Sequence, residues 1–461
     1  MSILEIFSPY DLTKIGEVQK HSLEQVKEML ENAHKFFHDS SKHLKPYQRI
    51  EILNKLINLI KREEINFTTL IATEGGKPWI DANFEAVRAI SGVESAIAEI
   101  HKIGGMQTPM ELTPFSINRT AFSIKEPIGV VFAVSAFNHP LNLLIHQIIP
   151  AIAVGCPIII KPASTTPMTC LKLVDLLYEA GLPELYCQVA ICDAEVTTQI
   201  LQDSKVAFFN FIGSGKVGWE LVKMLAPGTR YCLEHGGVAP VIIDSNVDLN
   251  KVALSLAKGA FYHAGQVCVS SKRIYVPKNM VKQFNQVFAE IVAKLKVGNP
   301  LAKDTDVGPL ILPKEVDRVD SWVKEAIDLG GELIIGGERL SQTTYAPTII
   351  YNPPENALVS KNETFGPVAC VYSYEDIEDA IDRANSLPYA FQAALFSDSL
   401  NFAMKVAKKI DAASIMINDH SAYRADWMPF GGRRASGFGM GGIVNNMHDL
   451  LQNKMILFNL N

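Results

Sequence analysis

The chain has 461 residues, 48% hydrophobic and 20% charged, the composition of a soluble globular protein large enough for two or three cores. Its formal net charge of −6, with no basic block, argues against nucleic acid as a partner. Seven cysteines without a CxxC pair indicate neither a disulfide framework nor a metal site, and suit a reducing cytoplasm.

The amino terminus, Met1 to Gly16, lacks the charged-then-apolar pattern of a signal segment. Residues 18–102 read as helical: Ile50, Leu53, Leu56, Ile57 and Ile60 recur at three- and four-residue spacing on one face. The segment Met106 to Lys125 fits no regular pattern. From Gly129 the pattern alternates. Val130 to Val134 is a buried strand, Pro140 to Ala153 a helix, Pro157 to Ile160 a strand, and Thr166 to Ala180 a helix stopped by Gly181. The apolar run Ile148 to Ile160 is broken by Pro150, Gly155 and Pro157. It is too short for the ~20 residues of a membrane span. Tyr186 to Ile191, Ala207 to Phe211 and Tyr231 to Leu233 continue as strands. Such alternation predicts a parallel sheet covered by helices. A second alternating region has strands at Arg273 to Val276, Val368 to Tyr372 and Ser414 to Asn418. Its helices are Val281 to Leu295, Val316 to Leu329 and Ile377 to Ala384.

Three residues stand out chemically. Cys268 lies in Gly265-Gln266-Val267-Cys268, Glu234 in Leu233-Glu234-His235-Gly236-Gly237, and Asn138 in Phe137-Asn138-His139-Pro140. A thiolate attacks a carbonyl, an amide donates to the oxygen that becomes negative, and a carboxylate deprotonates water. Together they supply what thiol-based oxidation of an aldehyde requires. Gly213-Ser214-Gly215-Lys216-Val217-Gly218 is a GxGxxG run between a strand and a helix, but it opens a late unit rather than the first.

These segments occur in one order with Glu74-Gly75-Gly76-Lys77-Pro78, Glu126-Pro127-Ile128-Gly129, Lys161-Pro162-Ala163-Ser164, Glu363-Thr364-Phe365-Gly366-Pro367 and Pro429-Phe430-Gly431-Gly432. In that order and spacing the chain resembles the aldehyde dehydrogenase superfamily over nearly its whole length. The resemblance implies an α/β fold with three parts. A Rossmann-type cofactor domain would span residues 1–105 and 126–235. An α/β catalytic domain would span 236–435. A small β arm, 106–125 and 436–461, would join subunits into a dimer or tetramer.

It also implies NAD or NADP as cofactor, held by Phe137, Lys161, Ser164, Gly213, Ser214, Gly218, Glu363 and Phe365. Ser164 stands where NAD-preferring members often carry Glu, so a 2′-phosphate becomes acceptable. Cys268 would be the nucleophile, Asn138 the oxyanion donor and Glu234 the base that releases a free acid. Relatives that pass the acyl group to coenzyme A typically lack that Glu. A catalytically retired scaffold is a third reading, against which the intact triad argues. The aldehyde would meet His139, Leu143, His146, Val267, Val269, Arg424 and Phe430. Two histidines and an arginine in place of aromatics suit a short aldehyde bearing hydroxyl, carboxylate, phosphate or sulfonate. Alternatively, Arg424 pairs with Asp426 or another acid. The segment Tyr423-Arg424-Ala425-Asp426-Trp427-Met428-Pro429-Phe430 looks like the lactaldehyde and sulfolactaldehyde branch, which borders on non-phosphorylating glyceraldehyde-3-phosphate and succinate-semialdehyde enzymes.

Overall fold

A computed structural model describes residues 2–460. A hairpin, Ile3–Phe7 with Lys14–Gln19, lies ahead of the helices in a segment for which no strand was expected. Four helices follow: Leu23–His38, Pro46–Arg62, Glu64–Gly75 and Trp79–Ile100. The first begins at Ser22, whose hydroxyl and the Gln25 side chain cap each other's backbone N–H groups. The second buries Leu53, Leu56, Ile57 and Ile60, the face that the periodicity predicts. The fourth packs against Asn142–Val154, a helix buried on nearly every side.

The first sheet has six strands in the order Gly437–Phe438, Arg230–Glu234, Val206–Ile212, Val130–Val134, Ile158–Lys161 and Cys187–Val189. All pairs are parallel except the one made by Gly437–Phe438. Val130–Val134 is the switch point: the next strand in sequence lies on one side of it and Val206–Ile212 on the other. Such a point opens a crevice at the carboxyl ends of the strands. Phe137 and Asn138 follow one of these ends, Gly213 and Ser214 another, and Lys161 and Glu234 terminate two more.

The second sheet has seven strands, ordered Glu332–Ile335, Thr348–Tyr351, Val368–Tyr374, Ser271–Pro277, Ala239–Ile243, Gln392–Phe396 and Ser414–Ile417. Only the first pair is antiparallel. Glu332–Ile335, Thr348–Tyr351, Ala239–Ile243 and Gln392–Phe396 escape the sequence reading. Pro240 and the pair Ala393-Ala394 have weak strand preference, and burial in the sheet overrides it. Here the strand amino ends face the first sheet: Cys268 precedes Ser271–Pro277, and Glu363 and Phe365 precede Val368–Tyr374.

Gln107–Thr108, Arg119–Pro127 and Leu451–Asn459 form a separate antiparallel sheet. The expected arm segment 436–461 is therefore divided. Gly437–Phe438 belongs to the first sheet. Ile443–Asp449 is a helix on Asn142–Val154 and Trp79–Ile100, held by buried Ile443 and Met447. Only Leu451–Asn459 joins the arm. Among the described residues no helix is long and apolar enough to cross a membrane.

Candidate active site

Carboxyl ends of the first sheet and amino ends of the second enclose a cleft of about 1060 Å³. Fifteen of the predicted site residues line it: Phe137, Asn138, His139, Leu143, His146, Gly213, Ser214, Glu234, Val267, Cys268, Val269, Glu363, Phe365, Arg424 and Phe430. Lys161, Ser164 and Gly218 are not in that wall. Lys161 and exposed Ser164 stand beyond it, past Ala163, which does line it. Gly218 points away: a Cβ there would fall 2.1 Å from His235 Cε1, so this glycine lets the helix Gly215–Val222 close onto His235.

Cys268 follows an unusual turn. His263, Ala264 and Gly265 take φ values of 49°, 54° and 66°, three left-handed residues in succession. Such strain costs of order 1–3 kcal/mol per non-glycine residue and persists where surroundings enforce it. Gln266 anchors the turn by donating to Pro309 O at 3.2 Å and accepting from Ile311 N at 2.9 Å. Of seven free cysteines, Cys268 alone is not fully buried. Its surroundings, chiefly burial and then the Glu363 and Glu234 carboxyls, push the thiol well above its ordinary range, while Arg424 pulls it back.

Asn138 Nδ2 donates to Gln266 O at 2.9 Å, which brings the amide beside the loop that carries Cys268. Glu234 is 4% exposed, and its Oε1 has no partner in the protein. Burial holds its pKa up at about 7, with Arg424 as the opposing influence. Glu363 Oε1 is likewise buried and unpartnered, and burial raises that carboxyl to about 7 against the pull of Lys272. Two glycines make room for these carboxylates. A Cβ on Gly441 would fall 1.7 Å from Glu234 Oε1, and one on Gly236 would fall 1.5 Å from Glu363 Oε1. Gly441 carries no motif signal beyond the glycine density around it.

One end of the cleft has the features of a dinucleotide site. Ser214 precedes the helix Gly215–Val222 and makes no side-chain hydrogen bond to its first turn; that amino end favours phosphate. Phe137 and Phe365 meet edge to face at 5.8 Å. Arg318, which sequence reasoning missed, stacks on Trp322 at 4.7 Å and leaves NH1 buried without a partner. An orphaned carboxylate oxygen, an orphaned guanidinium nitrogen and a helix amino end fit ribose hydroxyls and phosphates.

The other end is polar in a different way. His139 Nδ1 accepts from Lys77 Nζ at 2.9 Å, and Lys77 is paired with Glu85. Burial, and then Lys77, hold His139 down at about pKa 4, so the ring is neutral. His146 Nε2 lies 3.0 Å from Asp426 Oδ1 and its Nδ1 3.5 Å from Arg424. Both ring nitrogens are engaged, while the ring itself lines the cleft. Arg424 stacks on the Phe430 ring at 3.9 Å and donates to Met428 O at 3.3 Å. It makes no hydrogen bond to Asp426 among the described residues. That carboxylate is taken by Arg88, at 2.7 and 3.1 Å. Arg88 was not foreseen, because nothing in its helical context distinguishes it from a solvated arginine.

A sequence profile described as the aldehyde dehydrogenase family matches residues 2–456. The chain belongs to the aldehyde dehydrogenase family. As a member it is an oxidoreductase that works with NAD or NADP. It is 37% identical over 458 residues to a 3-sulfolactaldehyde dehydrogenase of Priestia megaterium, covering 99% of this chain and 95% of that one. Among solved structures it resembles aldehyde dehydrogenase 21 from Physcomitrella patens in complex with its reaction product succinate. The TM-score is 0.94 at 31% identity, over 100% of this chain and 95% of the other. It equally resembles the glyceraldehyde-3-phosphate dehydrogenase GapN from Methanocaldococcus jannaschii complexed with NADP. That TM-score is 0.94 at 34% identity, over 99% of both chains.

Proposed function

We propose that this aldehyde dehydrogenase oxidises a short polar or anionic aldehyde to the free carboxylic acid, through a thiohemiacetal and then a thioester on Cys268. The observation that carries the substrate reading is Arg424. It sits on Phe430 in a cleft that also holds Cys268 and Glu234, while the Asp426 carboxylate beside it in the chain is occupied by Arg88. A half-buried guanidinium with no carboxylate hydrogen-bonded to it is a site for an anion.

Cys268 Sγ attacks the aldehyde carbon. Asn138 Nδ2 turns from Gln266 O to the oxygen that becomes negative. Bound NAD or NADP would supply the acceptor for the hydride that leaves the former aldehyde carbon. Gly213, Ser214, Phe137, Glu363 and Phe365 would hold that cofactor in the cleft, and Lys161 and Ser164 would serve its adenosine ribose. Glu234 then takes a proton from water, which attacks the thioester carbon and frees Cys268 as the leaving group. With a pKa near 7, Glu234 is poised to do so near neutral pH. Sums balance: aldehyde, water and oxidised cofactor become acid, reduced cofactor and a proton.

The arm supports self-association as a dimer or tetramer. Leu451–Asn459 is an edge strand of its sheet, with Met455, Leu457 and Phe458 half exposed. Free cysteines throughout suit a cytoplasmic setting.

The test is cofactor reduction, followed by absorbance, with a panel of short aldehydes and both cofactors, and identification of the product. Free acid formed without coenzyme A is expected. Strict dependence on coenzyme A, with a thioester as product, would contradict the role given to Glu234.

A further inference from the structure

Four side chains at the aldehyde end form one chain of donors and acceptors. Arg88 donates to both oxygens of Asp426. His146 Nε2 lies 3.0 Å from Asp426 Oδ1. A carboxylate paired with a guanidinium only accepts, so Nε2 carries the proton. Nδ1 is then bare, and it accepts from Arg424 NH2 at 3.5 Å. A second proton on the ring would point at that guanidinium. Burial also holds the imidazole below its ordinary range. His146 is therefore neutral.

Charge then counts simply. Arg88 and Arg424 are positive, Asp426 is negative, and one positive charge is left over. It resides on Arg424, since the oxygens of Asp426 are engaged by Arg88 and His146. The opposite wall adds no further cation, because Lys77 and Glu85 are paired and His139 is neutral, while Asp81 and Glu234 are carboxyls that burial raises to about 6 and about 7. Asp426 is 2% exposed, so water screens this balance little.

Resting on the anionic-aldehyde reading above, we infer that Asp426 sets the valence of the substrate's charged end: the chamber takes a singly charged carboxylate or sulfonate and disfavours a phosphate dianion. A phosphate ester carries about −1.5 to −2 at neutral pH. Its second charge would lie at the aldehyde end of the cleft, where no second unpaired cation meets it, and within reach of the Asp426 field. Asp426 does this by holding Arg88 and orienting His146, without touching the aldehyde itself.

The test compares kcat/KM for succinate semialdehyde, glyceraldehyde 3-phosphate and lactaldehyde: one negative charge, two, and none. Ratios between substrates within one protein cancel any general loss of activity. The wild-type protein is expected to favour succinate semialdehyde over glyceraldehyde 3-phosphate by about tenfold or more. Asp426→Asn frees Arg88 and adds one unit of positive charge. That ratio should then fall by about tenfold or more, chiefly through KM for the phosphate substrate. If Asp426→Asn does not fold, Arg88→Met removes a cation and leaves Asp426 to offset Arg424. The advantage of succinate semialdehyde over lactaldehyde should then disappear. A wild-type preference for the phosphate substrate overturns the inference and leaves the anionic reading standing. So does an unchanged ratio in active Asp426→Asn protein, or an unchanged advantage in active Arg88→Met protein. Lactaldehyde outrunning both anions in the wild type overturns the anionic reading beneath it.

Discussion

The two ends of the cleft are built by different means. The cofactor end uses backbone: strand carboxyl ends at a switch point, a helix amino end that follows Ser214, and glycines that allow close approach. The aldehyde end uses long side chains drawn from distant segments. Arg88 comes from one helix, His146 from another, and Arg424 and Asp426 from a loop more than 250 residues further on in sequence. Backbone devices serve any dinucleotide. Buried charge must match one partner, so the aldehyde end is where this chain differs in chemistry from an apolar-tunnel enzyme.

The largest expected effect lies where the two ends meet. Cys268→Ala should remove aldehyde oxidation by several powers of ten and leave cofactor binding largely intact, read by cofactor titration. Near-normal turnover would move the chemistry elsewhere in the cleft. Glu234→Gln should give a burst of about one equivalent of reduced cofactor per site and then stall at the thioester. The wild-type release step should also rise with pH through about 7, because the base works only when deprotonated and burial holds its pKa there. A rate that falls over the same range would exclude Glu234 as the base.

Smaller effects separate the two ends. Arg424→Ala should raise KM for a short anionic aldehyde by roughly tenfold or more, with a much smaller change for lactaldehyde. An equal loss for both would make Arg424 a structural part of the Phe430 wall. At the cofactor end, Ser164→Glu should penalise NADP by about 1–3 kcal/mol relative to NAD, the scale of a repelled charged group in a site. Strict NAD use by the unaltered protein would place 2′-phosphate discrimination at another residue.

How far the sequence could be read follows the same division. Val130–Val134 is a short run of apolar, largely β-branched residues, and Gly213-Ser214 follows a strand and opens a helix; both signals are local. Cys268, Glu234 and Asn138 were visible because each sits in a short motif. The partners of Arg424 were not visible. Whether it meets Asp426 depends on whether Arg88 reaches that carboxylate first, and Arg88 lies in an ordinary amphipathic helix. Gly441 hid for a similar reason. Its lack of a side chain matters only because Glu234 Oε1 occupies the space. Cys268 and Glu363 precede strands of the second sheet rather than following them, so the carboxyl-end rule would have searched that sheet at the wrong edge.

The contrast between the two ends is tested most directly by one ratio: kcat/KM for succinate semialdehyde over hexanal, followed by cofactor reduction. An alkyl chain would leave buried polar groups of the aldehyde end unpaired at about 1–3 kcal/mol each, whereas a short anion meets Arg424. The ratio is expected to be roughly ten- to several-hundred-fold in favour of succinate semialdehyde. Hexanal at or above parity would contradict the reading of the aldehyde end and leave Arg424 as part of a structural wall.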